Sequence, residues 1–213
     1  MSETPRYVAD DGFRARCQAN LSRFEPTRSS ADSTDRRRSA VLVCVMPGPG
    51  REACLVMTQR AAGLRAHARQ YALPGGRIEA GEDAVDAALR EAEEEVALSC
   101  GRADVLGSLD DYVTRSGFVI TPVVVWGPPG ARLVPDPSEV AAVYLPPVAD
   151  LDHPDAPRLI VIPESDQPVI QMPMLGEWIH APTAAVLYQF REVALHGLDT
   201  RVARFEQPTW AWR

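Results

Sequence analysis

Apolar residues along this chain recur with two different periods. The runs SAVLVCVMP (39–47) and ACLVMTQR (53–60) are rich in β-branched and large aliphatic residues, and the turn-like GPGRE separates them, so a pair of strands is expected. Further strand-like stretches lie at 104–113 (DVLGSLDDYV), 118–126 (FVITPVVVW) and 140–145 (VAAVYL). RLIVI and VIQMPM flank PESDQP as the arms of a hairpin would. Helical spacing governs 84–97 and 183–197 (TAAVLYQFREVALHG), the second closed by Gly197, a residue suited to a helix C-terminus. Residues 11–24 carry a weaker helical pattern and lead into a polar connector, EPTRSSADSTDRRR. Strands before, between and after two main helices predict an α/β fold around a mixed sheet. The expected division is a helical arm and connector over 1–38, a folded domain over 39–197 and a tail over 198–213.

The helix expected at 84–97 contains LREAEEEVAL, with Glu91, Glu93, Glu94 and Glu95 within five positions. Like charges three or four apart on a helix repel, so the run needs a reason. One reason is trivial, since acidic runs are usually solvated faces. The helical wheel separates the two cases. At about 100° per residue from Glu91, Glu94 falls near −60° and Glu95 near +40°. Val85, Ala88, Leu89, Ala92 and Val96 fall between about +60° and +160°, an adjacent apolar stripe. Glu93 lies opposite, facing solvent with Asp86. Three carboxylates therefore crowd the border of the buried face, where a merely solvated run has no cause to gather. Convergent carboxylates without a lysine partner are the oxygen donors that a hard cation such as Mg²⁺ takes, with a substrate phosphate completing the coordination. Just upstream, PGGRIEAGE supplies glycines that let backbone approach such a site.

Composition narrows the chemistry further. The net charge is −7, which leaves no broad basic surface for nucleic acid or membrane. Every basic residue is arginine, so neither a phosphate-loop lysine nor a Schiff-base lysine is available. Cys17, Cys44, Cys54 and Cys100 show no CxxC spacing, and Cys44 and Cys54 sit inside apolar runs as small core residues. MSETPRYVADDGF lacks the plan of a signal peptide, and no apolar stretch approaches a membrane span; a soluble, reducing, cytoplasmic setting is expected.

Gly76, five residues, Glu82, seven residues, then Arg90 to Leu98 resembles the Nudix box, G-x5-E-x7-R-E-U-x-E-E-x-G-U. Every charged position matches. Ala92 stands where a larger aliphatic is usual and Ala97 where glycine is usual. The preceding segment VMTQRAAGLRAHARQYALPGG (56–76) is similar to the signature of the coenzyme A diphosphatases of that family, L-L-T-x-R-S-x3-R-x3-G-x3-F-P-G-G. Thr58, Arg60, Arg65, Pro74, Gly75 and Gly76 match; Arg69 replaces a glycine and Leu73 a phenylalanine. The resemblance extends over about residues 39 to 190.

The resemblance implies a Nudix α/β/α sandwich around a mixed sheet. It implies a metal-dependent hydrolase that splits the diphosphate of a nucleoside diphosphate linked to another group. Coenzyme A is the favoured case, giving 3′,5′-ADP and 4′-phosphopantetheine. Glu91, Glu94 and Glu95 would hold Mg²⁺ or Mn²⁺, with the Gly75 carbonyl as a further ligand, and Arg90 would orient the carboxylates by ion pairing, with Glu82 as a partner. The general base is either a helix glutamate or Glu139, an acid in a later loop. Arg60, Arg65, His67, Arg69, Arg77 and Gly76 are candidate substrate contacts around the glycine loop, since guanidinium suits phosphate oxygens. Ser116 and Gly117 are candidates to line the groove. Arg69 either obstructs a phosphopantetheine path or binds a further phosphate, and the sequence leaves both open. Two alternatives stand beside this reading: another substrate such as ADP-ribose, NADH or a nucleotide triphosphate, and a non-catalytic binding or regulatory module. The expected partner is the small nucleotide substrate, with neither nucleic acid nor membrane, and a homodimer is an allowed assembly.

Overall fold

The computed structural model describes residues 7–30, 36–61 and 70–211. In chain order its main elements are α1 (Asp11–Arg23), β1 (Arg37–Pro47), β2 (Ala53–Leu55), β3 (Met57–Arg60), β4 (Tyr71–Ala72), β5 (Gly75–Arg77), α2 (Ala84–Val96), β6 (Val105–Ser108), β7 (Tyr112–Val113), β8 (Phe118–Trp126), β9 (Val140–Tyr144), β10 (Arg158–Ile162), β11 (Ser165–Met174), β12 (Glu177–His180) and α3 (Thr183–Phe190). Among the described residues these strands form a mixed sheet of order β2-β1-β8-β6, with β5 added to β1 and β7 to β8, and two antiparallel sheets, β4-β3-β9 and β10-β11-β12.

The mixed sheet is built on the parallel pair β1 and β8, in register from Arg37 opposite Phe118 to Val45 opposite Trp126. Alternate residues of a strand face opposite sides, and here both sides are covered. Ala40, Leu42, Cys44 and Met46 of β1, with Val123 and Val125 of β8, join Ala87, Ala88, Ala92 and Val96 of α2 in one core. Val43, Val45, Val124 and Trp126 point the other way, into a core shared with α1 and α3. This double burial is why the two segments read as unbroken apolar runs. The result is the α/β/α sandwich expected, with α2 on one face and α1 and α3 on the other. Residues expected to form an outlying arm and tail contribute to that second core, through Phe13, Cys17 and Leu21 of α1 and through Val202 and Phe205. No helix of the described residues is long and apolar enough to cross a membrane.

Three segments depart from the sequence expectation. The run 53–60 is not one strand: β2 pairs with β1, whereas β3 leaves for the small sheet with β4 and β9. The run 104–113 breaks into β6 and β7 around Leu109–Asp111, because Asp110 and Asp111 turn inward to accept hydrogen bonds. Asp110 takes the Thr27 N–H and Arg201, and Asp111 takes Thr121, Arg28 and the Ser29 N–H. The closing helix is α-helical over Thr183–Phe190 and continues as a wider π-type turn over Arg191–Leu195. There Arg191 is buried, paired with Glu192 and donating to the carbonyls of Leu151 and Ala156.

Helix α2 starts at Asp83, whose carboxylate accepts the N–H groups of Val85 and Asp86 at 2.9 Å. It ends on Ala97 in the left-handed region (φ 54°, ψ 32°), whose N–H returns to the Ala92 and Glu93 carbonyls. The alanine thus performs the chain reversal that a glycine does more easily, at a penalty of about 1–2 kcal/mol for the left-handed backbone. Glycine there would remove the penalty but give back part of it through a freer unfolded chain. Ala97→Gly is therefore expected to stabilise the protein by about 1 kcal/mol and raise Tm by about 2–4 °C, read by thermal unfolding; an unchanged or lowered Tm would contradict this account of the helix end.

Candidate active site

The site begins where β5 lies against β1, with Gly75 opposite Val41 and Gly76 opposite Ala40. Both glycines are dictated by crowding. A side chain at Gly75 would collide with the Ala40 carbonyl and the Val41 backbone, and one at Gly76 with the Glu91 carboxylate. The glycine strand thereby comes close enough to touch α2, and the Gly75 N–H donates to Glu95 Oε2 at 3.1 Å.

Arg90 ties the intervening loop to the helix. Its Nε and Nη2 hold the two oxygens of Glu82 at 2.7 and 3.1 Å. Its Nη1 reaches Glu91 Oε1 at 3.0 Å and Glu94 Oε2 at 2.9 Å, and Nη2 also takes the Arg77 carbonyl at 3.0 Å. Glu82 in turn accepts the Glu79 N–H. The Arg90 hydrogen bonds hold the Glu82 carboxyl below the usual range, while the three carboxylates push the guanidinium up.

The acids of α2 separate by burial. Glu95 is only 4% exposed. Burial pushes its carboxyl up to about 7, against the Gly75 hydrogen bond and the Arg60 charge, which lower it, while Glu91 and Glu139 raise it. Glu91 is half-buried and also raised, first by burial, with Arg90 opposing and Glu94 and Glu139 adding. Glu94 departs from the expected convergence: its side chain is 60% exposed and leans on Arg90. The wheel groups it with Glu91 and Glu95, but the depth to which α2 settles onto the sheet leaves it outside. Glu93 is exposed, as the wheel has it. Among the described residues, no group of three His, Cys, Asp or Glu side chains is gathered as a ready-made metal cluster. Two carboxylates face the glycine strand, and their oxygen-only chemistry and raised pKa fit a hard divalent cation, whose charge would offset their desolvation.

The other candidates divide. Glu139, exposed in the loop before β9, lies within electrostatic reach of both Glu91 and Glu95. Arg60 at the end of β3 faces Glu95 through its charge. Arg77 enters through its backbone carbonyl. Ser116 and Gly117 are not brought to this cluster; they occupy the β7–β8 turn, where Arg37 donates to the Ser116 carbonyl. Gly117 lines a separate cavity of about 740 Å³ with Arg36, Arg115 and Glu206. Arg65, His67 and Arg69 lie outside the described residues. Tyr71 and Tyr144, half-buried and edge-to-face at 5.6 Å, flank β3 from β4 and β9, and no local sequence pattern singles them out.

A glycine strand pressed on an arginine-clamped acidic helix, inside an α/β/α sandwich, defines a hydrolase of the Nudix class. Residues 36–162 match the NUDIX domain, and the chain belongs to the Nudix hydrolase family. Its relatives include the uncharacterized Nudix hydrolase NudL of Cronobacter sakazakii, 44% identical over 135 residues, covering 61% of this chain and 68% of that protein. NudL of Escherichia coli K12 is 39% identical over 138 residues, covering 62% and 70%. Among solved structures, a MutT/nudix family protein from Enterococcus faecalis shares the fold at a TM-score of 0.50 and 14% identity, over 79% of this chain and 64% of that one.

The raised Glu95 carboxyl sets a pH dependence for the metal-free protein. Between the ordinary Glu value, 4.5, and about 7 the folded state binds the proton that the unfolded state has released. Stability must therefore fall as pH rises through that window and stay low above it, by about 3 kcal/mol at most. Glu91, shifted the same way, adds to the slope. In EDTA, Glu95→Gln is expected to flatten the profile of urea midpoints from pH 5 to 8 and to exceed the wild type above pH 7; parallel profiles would contradict the buried-carboxyl assignment.

Proposed function

We propose that this Nudix hydrolase cleaves the diphosphate of a nucleoside diphosphate linked to another group, with coenzyme A as substrate and 3′,5′-ADP and 4′-phosphopantetheine as products. The observation that carries the reading is the pair of half-buried Glu91 and buried Glu95, set against the glycine strand that the coenzyme A diphosphatase signature runs into. Enzymes of this family generally use divalent metals. In this reading Glu91 and Glu95 hold Mg²⁺ or Mn²⁺, with Glu94 and the Gly75 carbonyl as further donors. The cation supplies charge neutralisation for the diphosphate and acidifies water.

The remaining work belongs to the chain's own residues. Arg90 fixes the carboxylates by bridging Glu82, Glu91 and Glu94, so the donors are placed before substrate arrives. Gly76 keeps clear the space that the Glu91 carboxylate occupies. Glu139, an exposed acid from a different element, is the general base, able to take a proton from attacking water without giving up a buried ion pair. Arg60 offers a guanidinium to the phosphates on the side of Glu95. Arg65, His67 and Arg69, which lie outside the described residues, and Arg77 are the candidate phosphate contacts that the resemblance implies, Arg69 for the 3′-phosphate.

A substrate panel of coenzyme A, 3′-dephospho-coenzyme A, ADP-ribose, NADH and a nucleoside triphosphate, with Mg²⁺ or Mn²⁺, tests the assignment by product analysis. Coenzyme A is expected to give the highest kcat/KM, and a faster rate on ADP-ribose or NADH would replace it as substrate. No turnover of any member would leave a binding module. Excess EDTA is expected to abolish hydrolysis, and Mg²⁺ or Mn²⁺ to restore it.

Glu91→Gln and Glu95→Gln are each expected to lower kcat by about 10²-fold or more with the fold retained. Gly76→Ala should do the same by displacing the Glu91 carboxylate, a flexible side chain that can move without unfolding the protein. Glu93→Gln, on the exposed face, should keep wild-type rates. Near-normal kcat in both the Glu91 and Glu95 variants would sink the site.

A further inference from the structure

Cys44 and Cys100 stand far apart in the chain, and the fold sets their thiols side by side. Cys44 lies on the face of β1 that carries Leu42 and Met46, fully buried in the core shared with α2. Cys100 follows that helix in the irregular stretch 97–101 and packs against the same core while staying partly exposed. The two thiols are within hydrogen-bonding contact, Cys44 donating to Cys100. Gly127 lies against the Cys44 sulfur, where any side chain would strike it. The buried sulfur is thus confined between a glycine and the second thiol. That contact makes the two chemically unequal. The Cys44 hydrogen bond lowers Cys100 from the ordinary thiol value, against burial and the charges of Asp104 and Glu93. The same bond, with burial, raises Cys44 well above it. Thiolate character and access to solvent decide which cysteine an oxidant meets, and both favour Cys100. Burial pushes Cys17 up to about 12 and Cys54 up to about 11, so neither competes.

We propose that Cys100 and Cys44 form a peroxide-responsive site, at which Cys100 is oxidised and Cys44 closes an intramolecular disulfide. The Cys100 sulfur attacks hydrogen peroxide, forming an S–O bond as the O–O bond breaks. The departing hydroxide takes up the proton released by the Cys100 thiol and becomes water. The Cys44 sulfur then forms the S–S bond and displaces the sulfenic hydroxyl, which leaves with the Cys44 proton as a second water. Two thiols and one peroxide thus give one disulfide and two waters, the sulfurs losing the two electrons that the peroxide oxygens gain. The sulfurs must close to the ~2 Å of a covalent bond. Cys44 is fixed within β1, so the movement falls to 97–101, which lies outside helix and strand and contains Gly101. The bond fastens the chain just past α2 to the strand on which α2 packs. It also spares Cys100 from irreversible oxidation, because a sulfenic acid captured as a disulfide goes no further up the ladder.

Treating the reduced full chain with hydrogen peroxide, blocking free thiols and mapping tryptic peptides by mass without reduction tests this. Cleavage at arginine places the four cysteines in separate peptides, Cys44 in 39–51 and Cys100 in 91–102. The wild type is expected to yield these two joined, lighter than their sum by two hydrogens, and dithiothreitol to separate them. Cys44→Ala, checked for its fold by circular dichroism, is expected to carry Cys100 on to the sulfinic acid, two oxygens heavier on 91–102, because no thiol captures the sulfenic acid. If that variant does not fold, Cys100→Ser, at a partly exposed position, serves instead; Cys44 is then expected to stay a free thiol under the same peroxide. A wild type with both thiols still free, a Cys100 that reaches sulfinic acid as fast in the wild type as in Cys44→Ala, or a link through Cys17, Cys54 or a second chain would each overturn the proposal. The readout is peptide mass, so the outcome does not depend on which substrate the active site takes.

Discussion

Burial of β1 on both faces is the constraint from which the rest of the site follows. A strand with Leu42, Cys44 and Met46 on one side and Val43 and Val45 on the other must be covered by helices on both. Each fully buried side chain of this size contributes about 1.5–3 kcal/mol, so the strand cannot move without disturbing both cores. β5 is hydrogen-bonded to that strand at Ser39–Val41, and α2 packs on its Leu42 side. Gly75 and Glu95, each anchored to β1, are thus held directly against one another. Glu95 is therefore positioned by the core.

Against that frame the acidic helix is under opposing demands. Burial disfavours the charge on Glu95 and Glu91, and an unpaired buried carboxylate costs several kcal/mol. Among the described residues one backbone N–H, that of Gly75, is given to Glu95. Arg90 could have neutralised the pair, yet its bidentate contact goes to Glu82, with single bonds to Glu91 and Glu94. The arrangement ties the loop to the helix through Arg90 and leaves Glu95 to the Gly75 N–H and the charge of Arg60 among the described residues. Such a carboxylate is destabilising in an empty protein and favourable once a cation shares it, which is the physical sense of reading this helix as a site rather than a surface.

Much of this was legible from local pattern. The 3.6-residue period placed the apolar stripe of α2, and Ala88, Ala92 and Val96 are buried as that stripe requires. The close approach at Gly75–Gly76 follows from residue type alone, whereas Asp83 as the cap of α2 came from the structure. The exposure of Glu94 did not follow. A wheel gives angles but not how deeply a helix sinks, and the difference between Glu95 inside and Glu94 outside is set by how far α2 settles onto β1 and β8. Nor could the run 53–60 be divided, because β2 and β3 have the same composition and differ only in which strand lies beside them.

By itself, then, the sequence determined what depends on neighbours along the chain: helix and strand periods, the glycine turn, and the spacing Gly76–Glu82–Arg90–Glu91 that assigns the family. Only the tertiary structure decided what depends on partners distant in sequence. It placed Ser116 and Gly117 in the β7–β8 turn, with Gly117 on another cavity, brought Glu139 to the acids of α2, folded α1 and the tail residues Val202 and Phe205 into the core, and broke 104–113 at two inward-facing aspartates. The reason is the same in each case. Hydrophobic periodicity encodes that a face is buried, but the surface that buries it, and the charge that meets it there, come from elements whose distance along the chain carries no local signal.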